Sequence, residues 1–233
     1  MLRPNTNTNF DLTSFDVERY NTLLSHGLSK GLGLPLPGEM CIEAVICNVM
    51  GLEHSDDPMC VADSVRKFKI HLNDKNWSSN VARAKGLHDL GLAQLGSLGT
   101  VNDTLFSKKL MEKIIRVLLP NLFRRVFLSD DKCLAAALVC EMEGTGSSAR
   151  DAAEAAYAVY AAVEAAYATT AAYAVEAAYA TTAAYAVEAA TTAAAYVANT
   201  ANAVPKDYYL NLVATLAVEV LRDLKSPGCT LLP

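Results

Sequence analysis

Residues 41–61 read CIEAVICNVMGLEHSDDPMCV and hold three cysteines, one histidine and four carboxylates. Those residue types can do three kinds of chemistry. Thiolates and an imidazole hold zinc, and the set here would be Cys41, Cys47, His54 and Cys60. The spacing is poor for it, because there is no CxxC and on one helix Cys41 and Cys47 would point about 120° apart. A thiol beside an imidazole is a nucleophile. Cys60, read at the start of a helix that favours its thiolate, would pair with His54, and Asp56 would orient the ring. Nothing in the stretch supplies an oxyanion hole. The third reading is packing. Asp56 or Asp57 caps a helix that Pro58 starts, and Cys41 and Cys60 fill the corner as small apolar residues.

A second candidate lies just upstream. SHGLSKGLG, residues 25–33, is glycine-rich. Such a loop can turn backbone N–H groups toward an anion, with Ser25, His26, Ser29 and Lys30 adding donors. It is not a nucleotide-binding P-loop, because the Gly-Lys-Ser/Thr ending after four spacers is missing.

These residues need helices to position them. Thr13 or Ser14 can cap a helix to about Ser25, and four glycines and two prolines then make residues 26–39 a loop. A helix from about Glu39 to Met50 would pack Cys41, Val45 and Val49 on one side and end at Gly51. Glu43 would then point about 160° away from Cys41, toward a polar or solvated surface. Asp56 or Asp57 with Pro58 starts the next helix, to about Leu72. Ser79 or Asn80 caps another, to Leu95. From Asn102 or Asp103 an amphipathic stretch carries Leu105, Leu110, Ile114, Val117, Leu118 and Leu122 at helical spacing, and Pro120 should kink or break it. A short helix ends at Gly144, and a last one, residues 205–225, begins at Pro205. No strand alternation is evident, so the expected fold class is all-α.

Residues 155–198 are an alanine tract with a six-residue near-repeat (AAYATT, AAYAVE) and no glycine or proline. Alanine is the strongest helix former, so one long helix, or a pair broken at a Thr-Thr step, is expected. Six residues advance a helix by about 240°, so Tyr167, Tyr173 and Tyr179 fall on three sides in turn. Small side chains all round favour a bundle centre or an oligomer seam. The organisation read from the sequence is thus a flexible arm (1–13), a helical domain (14–144), a GTGSS linker (145–150), the alanine-rich helical repeat (151–204), a C-terminal helix (205–225) and a tail (226–233).

The formal net charge is −5. Residues 1–150 balance 17 basic against 17 acidic side chains, whereas 151–204 carry five acids and no base. No basic face for nucleic acid is expected. Neither a signal peptide nor a membrane span is evident, which points to a cytoplasmic protein with reduced thiols.

The motifs Cys41-x-Glu43-Ala44, Gly51-x-x-His54-Ser55-Asp56, Pro58-x-Cys60 and Leu72-Asn73-Asp74 together resemble a family of uncharacterised bacterial and phage proteins, over about residues 25–100. That family has no assigned activity. The resemblance implies that the polar set Glu43, His54, Asp56, Cys60 and Asn73 does more than pack. The expectation is a non-enzymatic, phage-type binding protein with no cofactor. It would sequester an anionic small molecule such as a nucleotide signal, or block a host defence protein, and would form a homo-oligomer through the alanine-rich helix. The site would be Ser25, His26, Ser29, Lys30, Glu43, His54, Asp56 and Cys60. A Cys/His-dependent hydrolase and a purely structural or oligomerisation protein are the alternatives.

Overall fold

A computed structural model describes residues 10–160 and 207–233. The fold is all-α, and among the described residues the sole β feature is an isolated antiparallel bridge between Gly33 and Met40. The N-terminal arm (1–9) and the alanine-rich repeat from residue 161 onward, with its expected oligomer seam and Pro205, lie outside the described residues. The chain divides into two compact units, residues 1–106 with 217–233 and residues 107–216.

The first unit begins with a short 3-10 turn, Leu12–Ser14, and then α1, Val17–Ser25. Asp16, not Thr13 or Ser14, caps α1 by accepting from the Arg19 N–H at 2.8 Å. After the glycine loop come α2 (Ile42–Val49), α3 (Asp63–Asn73) and α4 (Asn80–Ala93). Helices α1, α3 and α4 all pack against α2, and every residue from Ile42 to Cys47 is buried. The one-sided packing expected for this helix is therefore wrong. A helix enclosed on all sides has no solvated face to give Glu43. Tyr20, Phe68, Leu72, Leu87 and Leu90 complete this core, and Phe68 meets Phe106 edge to face at 6.0 Å. The Tyr20 hydroxyl donates to the His88 carbonyl at 2.8 Å, directly over Gly91, where a Cβ would lie 2.1 Å from that hydroxyl.

Two boundaries differ from expectation. No helix starts at Pro58. The Asp57 carboxylate accepts from the Met59 N–H, Met59 takes a left-handed φ of 62°, and the chain stays irregular to Ala62. Helix α3 begins at Asp63 with no local side-chain cap. The Asp103 carboxylate, 39 residues away, accepts from the Ser64 N–H at 2.7 Å instead. The expected tail is also ordered. Pro227–Leu231 form a 3-10 turn against the end of α4, where Ser226 Oγ donates to the Ala93 carbonyl at 2.6 Å and Gly228 N–H to the Leu95 carbonyl at 2.9 Å.

The second unit takes the end of α5 (Asp103–Lys113), a π turn (Ile114–Leu118), α6 (Leu119–Val126), α7 (Asp131–Glu143), α8 (Gly146–Tyr160) and the start of α9 (Tyr208–Asp223). Pro120 does not break the helical path. The preceding turn widens to π, and the Leu119 N–H donates to the Ile114 carbonyl. A π turn holds more residues than an α turn. Residues spaced by four therefore stay on one side, and Leu110, Ile114, Leu118 and Leu122 are buried while Leu105 and Val117 are exposed. Gly144 ends α7 in the left-handed conformation, and Arg116 donates to the carbonyls of Glu141, Met142 and Glu143 at that end. Residues 145–150, expected as a linker, instead open α8. Ser148 N–H donates to Thr145 Oγ1 and Thr145 N–H to Ser148 Oγ, a reciprocal cap.

Candidate functional site

A cleft of about 70 Å³ opens in the first unit where the glycine loop, the start of α2 and the end of α3 meet. Its wall includes Cys41, Glu43, Asp56, Asn73 and Asp74, with Leu32 at the loop side. Each is placed by a local device. Cys41 is the N-cap of α2, its Sγ accepting from the Ala44 N–H at 3.4 Å. Asp74 ends α3 and accepts from the Gly31 N–H and the Asn73 amide, both at 2.8 Å. The Asn73 amide also donates to the Ser29 carbonyl at 3.0 Å. Asp56 is held by Arg66 at 3.4 Å.

The loop itself is fastened by Arg83, a nearly fully buried residue of α4. Its guanidinium donates to the carbonyls of Leu28 (2.7 Å) and Asn73 (2.8 Å) and to Asn80 Oδ1 (2.7 Å). Within the loop, Ser29 N–H donates to the Met40 carbonyl, Leu34 N–H to Glu39 and Cys41 N–H to Leu32. Gly33 has a φ of 71°, and a Cβ there would sit 1.7 Å from the Glu39 carbonyl oxygen, so only glycine fits.

Behind the cleft wall lies a charged pair with no access to water. Glu43 and Lys69 are both fully buried, with Lys69 Nζ 3.1 Å from Glu43 Oε2. Gln94 Nε2 donates to the same carboxylate oxygen at 2.8 Å. Among the described residues, Glu43 Oε1 and Gln94 Oε1 have no hydrogen-bond partner. Burial pushes the Glu43 carboxyl up and the Lys69 ammonium down, against their mutual attraction. Both groups are thus drawn toward neutrality.

The structure brings together only part of the expected site. Glu43 and Asp56 line the cleft. His54 stands at the loop, its Nε2 donating to the Gly33 carbonyl at 3.0 Å. Cys60 is buried in the irregular segment and is not at a helix N-terminus, because α3 starts three residues later. Ser25 donates to the Thr22 carbonyl, His26 forms the C-terminal cap of α1, Ser29 donates to the Glu39 carbonyl and Lys30 is exposed. None of these four is in the cleft wall. The backbone N–H groups of Leu28, Ser29, Gly31 and Leu34 donate to acceptors of the protein itself.

Lys69, Gln94, Arg83 and Asp74 were not among the expected site residues. One signal was present. Lys69 occupies a core position on the stripe Val65, Phe68, Leu72, where a solvated lysine does not belong.

The cysteines are thiols rather than thiolates. Burial pushes Cys41 and Cys60 up to about 11 and Cys47 to about 12. At pH 7.5 iodoacetamide should label all three on the native protein about a hundredfold or more slower than after denaturation, read by peptide mass spectrometry. Equal rates at Cys60 would revive a poised nucleophile. Among the described residues, no three His, Cys, Asp or Glu side chains converge to hold a metal ion, and no helix is long and apolar enough to cross a membrane. Comparison with family models, curated proteins and solved structures finds no match.

Proposed function

We propose that the protein is a non-enzymatic binding protein whose cleft takes the cationic head of a ligand, an ammonium or guanidinium group. One observation carries this reading. The cleft wall carries the carboxylates of Asp56 and Asp74 with no basic side chain in the wall among the described residues; Arg66 pairs with Asp56, and the third acid of the wall, Glu43, is already matched by Lys69 and Gln94. An anion would meet the carboxylates of Asp56 and Asp74. Size argues the same way. Pockets for drug-sized ligands run to about 300–1,000 Å³, whereas about 70 Å³ suits a head of a few heavy atoms. A thiol hydrolase draws less support, since the thiol at the cleft is held protonated by burial and His54 is engaged with the loop carbonyl.

The test is an NMR titration of the Gly31 and Asp74 amides with methylguanidinium and n-butylammonium chloride. Shifts saturating in the millimolar range, and absent in Asp74→Asn, are expected. Saturation by inorganic phosphate or ATP, with none by the cations, would overturn the reading.

A further inference from the structure

Helix α7 carries an unbroken apolar run, residues 134–139, so its middle turns are apolar on every side. A helix of that kind is normally enclosed. Within the second unit α7 packs against α6, the π turn and α8, and the side chains turned that way, Cys133, Ala137 and Cys140, are buried. The opposite face is exposed. Leu138 and Met142, one turn apart and so within about 40° of each other on the helix, are 50% and 61% exposed. Ala135, on the same face, is exposed as well. Its small side chain lets another helix approach closely.

The charges beside this face fit a second copy of the same helix. Lys132 and Glu143 are both exposed. They stand about three turns apart and point within about 20° of each other, along one flank of the Leu138–Met142 stripe. Leu138 lies near the midpoint between them. When two copies of a helix pair antiparallel about a two-fold axis, each flank meets the same flank of its partner in reversed order. With the axis at Leu138, Lys132 comes beside Glu143 of the partner subunit, and the same contact repeats across the axis. A parallel pair would leave the two charges about 16 Å apart along the helix. The other flank carries Glu141, which Arg124 already neutralises, so no like charges are forced together there.

We infer that the exposed face of α7 binds a second copy of this chain, as an antiparallel two-fold helix pair with Leu138 at the axis and Lys132 against Glu143 of the partner subunit at each end. Leu138 and Met142 supply the apolar contact, and the two ion pairs set direction and register. A helix about 20 Å long offers less than the ~800 Å² per partner of a standard interface. The dimer is therefore weak, with a Kd of about tens to hundreds of micromolar. This seam is distinct from the one expected in the alanine-rich repeat, and it does not depend on the cation reading of the cleft.

Sedimentation equilibrium of the full-length protein tests it. From about 10 µM to about 1 mM the chain should show a monomer–dimer equilibrium. Leu138→Glu should weaken the dimer about tenfold or more, and so should Lys132→Glu or Glu143→Lys, because each sets like charges together. The double swap, Lys132→Glu with Glu143→Lys, should return the dimer to within about threefold of the wild type. A seam elsewhere on the chain would not produce that rescue. Both charge changes suit the helix dipole, an acid near the N-terminus and a base near the C-terminus, so the fold should survive, as unchanged circular dichroism would show. A monomer throughout that range overturns the inference. So does a dimer that none of the single changes weakens, which puts the seam elsewhere, or a double swap no better than the single variants, which denies the antiparallel register. If Leu138→Glu instead lowers the melting temperature in dilute solution, where the wild type is monomeric, another segment of the same chain covers α7 and the inference falls.

Discussion

Lys69→Met should lower the stability by about 3–5 kcal/mol in urea unfolding, and Glu43→Gln added to it should restore most of that loss. The single change leaves a carboxylate fully buried without its counter-charge, and stranded charges of this kind cost about that much. The double change removes both charges and keeps an amide to accept from Gln94 Nε2, which now bonds Glu43 at 2.8 Å. Glu43→Gln alone strands the Lys69 ammonium and should cost a similar amount. The pH dependence has a definite sign. Burial raises the Glu43 carboxyl above its ordinary value, so its contribution to stability is complete below the unfolded value and is lost as pH rises through the folded one. Without Lys69 to oppose it, Lys69→Met should come closest to the wild type in mild acid and fall further behind toward neutral pH. Lys69 shifts the other way. Its contribution is present above the unfolded lysine value and is lost as pH falls through the folded one, so Glu43→Gln should deviate least in alkali. Single variants within about 1 kcal/mol of the wild type, or differences flat in pH, would show that the pair is not held dry.

Arg83→Met should cost about 3–5 kcal/mol, and Arg83→Lys should recover less than half of it. The guanidinium serves the Leu28 and Asn73 carbonyls and Asn80 Oδ1 from one fixed fork. Charge-assisted hydrogen bonds contribute about 1.5–3 kcal/mol each, and the carbonyls left behind are buried. A lysine presents one point charge and cannot span the same acceptors. The loss should be local first. In hydrogen exchange the Ser29 and Gly31 amides should lose protection before the interior of α4 does, because Arg83 joins the glycine loop to the ends of α3 and α4. Cation binding to the cleft should fall with it. Uniform loss of protection across the first unit would instead make Arg83 a general core residue with no special hold on the loop.

Much of the local structure was legible because it depends on neighbours in sequence. Ser79 caps α4 by accepting from the Ala82 N–H, and Gly144 stops α7 in a conformation other residues avoid. The all-α class followed from helix-compatible periodicity and the lack of strand alternation. Errors arose where a distant residue does what a near one was expected to do. Asp57 and Pro58 look like a helix start. The Asp57 side chain instead stabilises a turn, and α3 waits for the Asp103 carboxylate to reach its N-terminus. The GTGSS error was local instead: its composition suits a linker, yet Thr145 and Ser148 cap each other and begin α8.

The candidate site divides along the same line. Glycine punctuation and the Cys-x-Glu and Asn-Asp motifs pointed to the region of the chain that forms the cleft, because tight turns and caps need particular residues at particular positions. Whether Glu43 meets water or a lysine, which of the loop's N–H groups are spent on the protein, and whether Leu32, Leu34 and Leu36 are covered or displayed are questions of packing between segments apart in the sequence. Periodicity reports which face a residue occupies but not what stands opposite that face. Only the tertiary structure decided those points, because burial and pairing belong to the surroundings of a side chain and not to its place in the sequence.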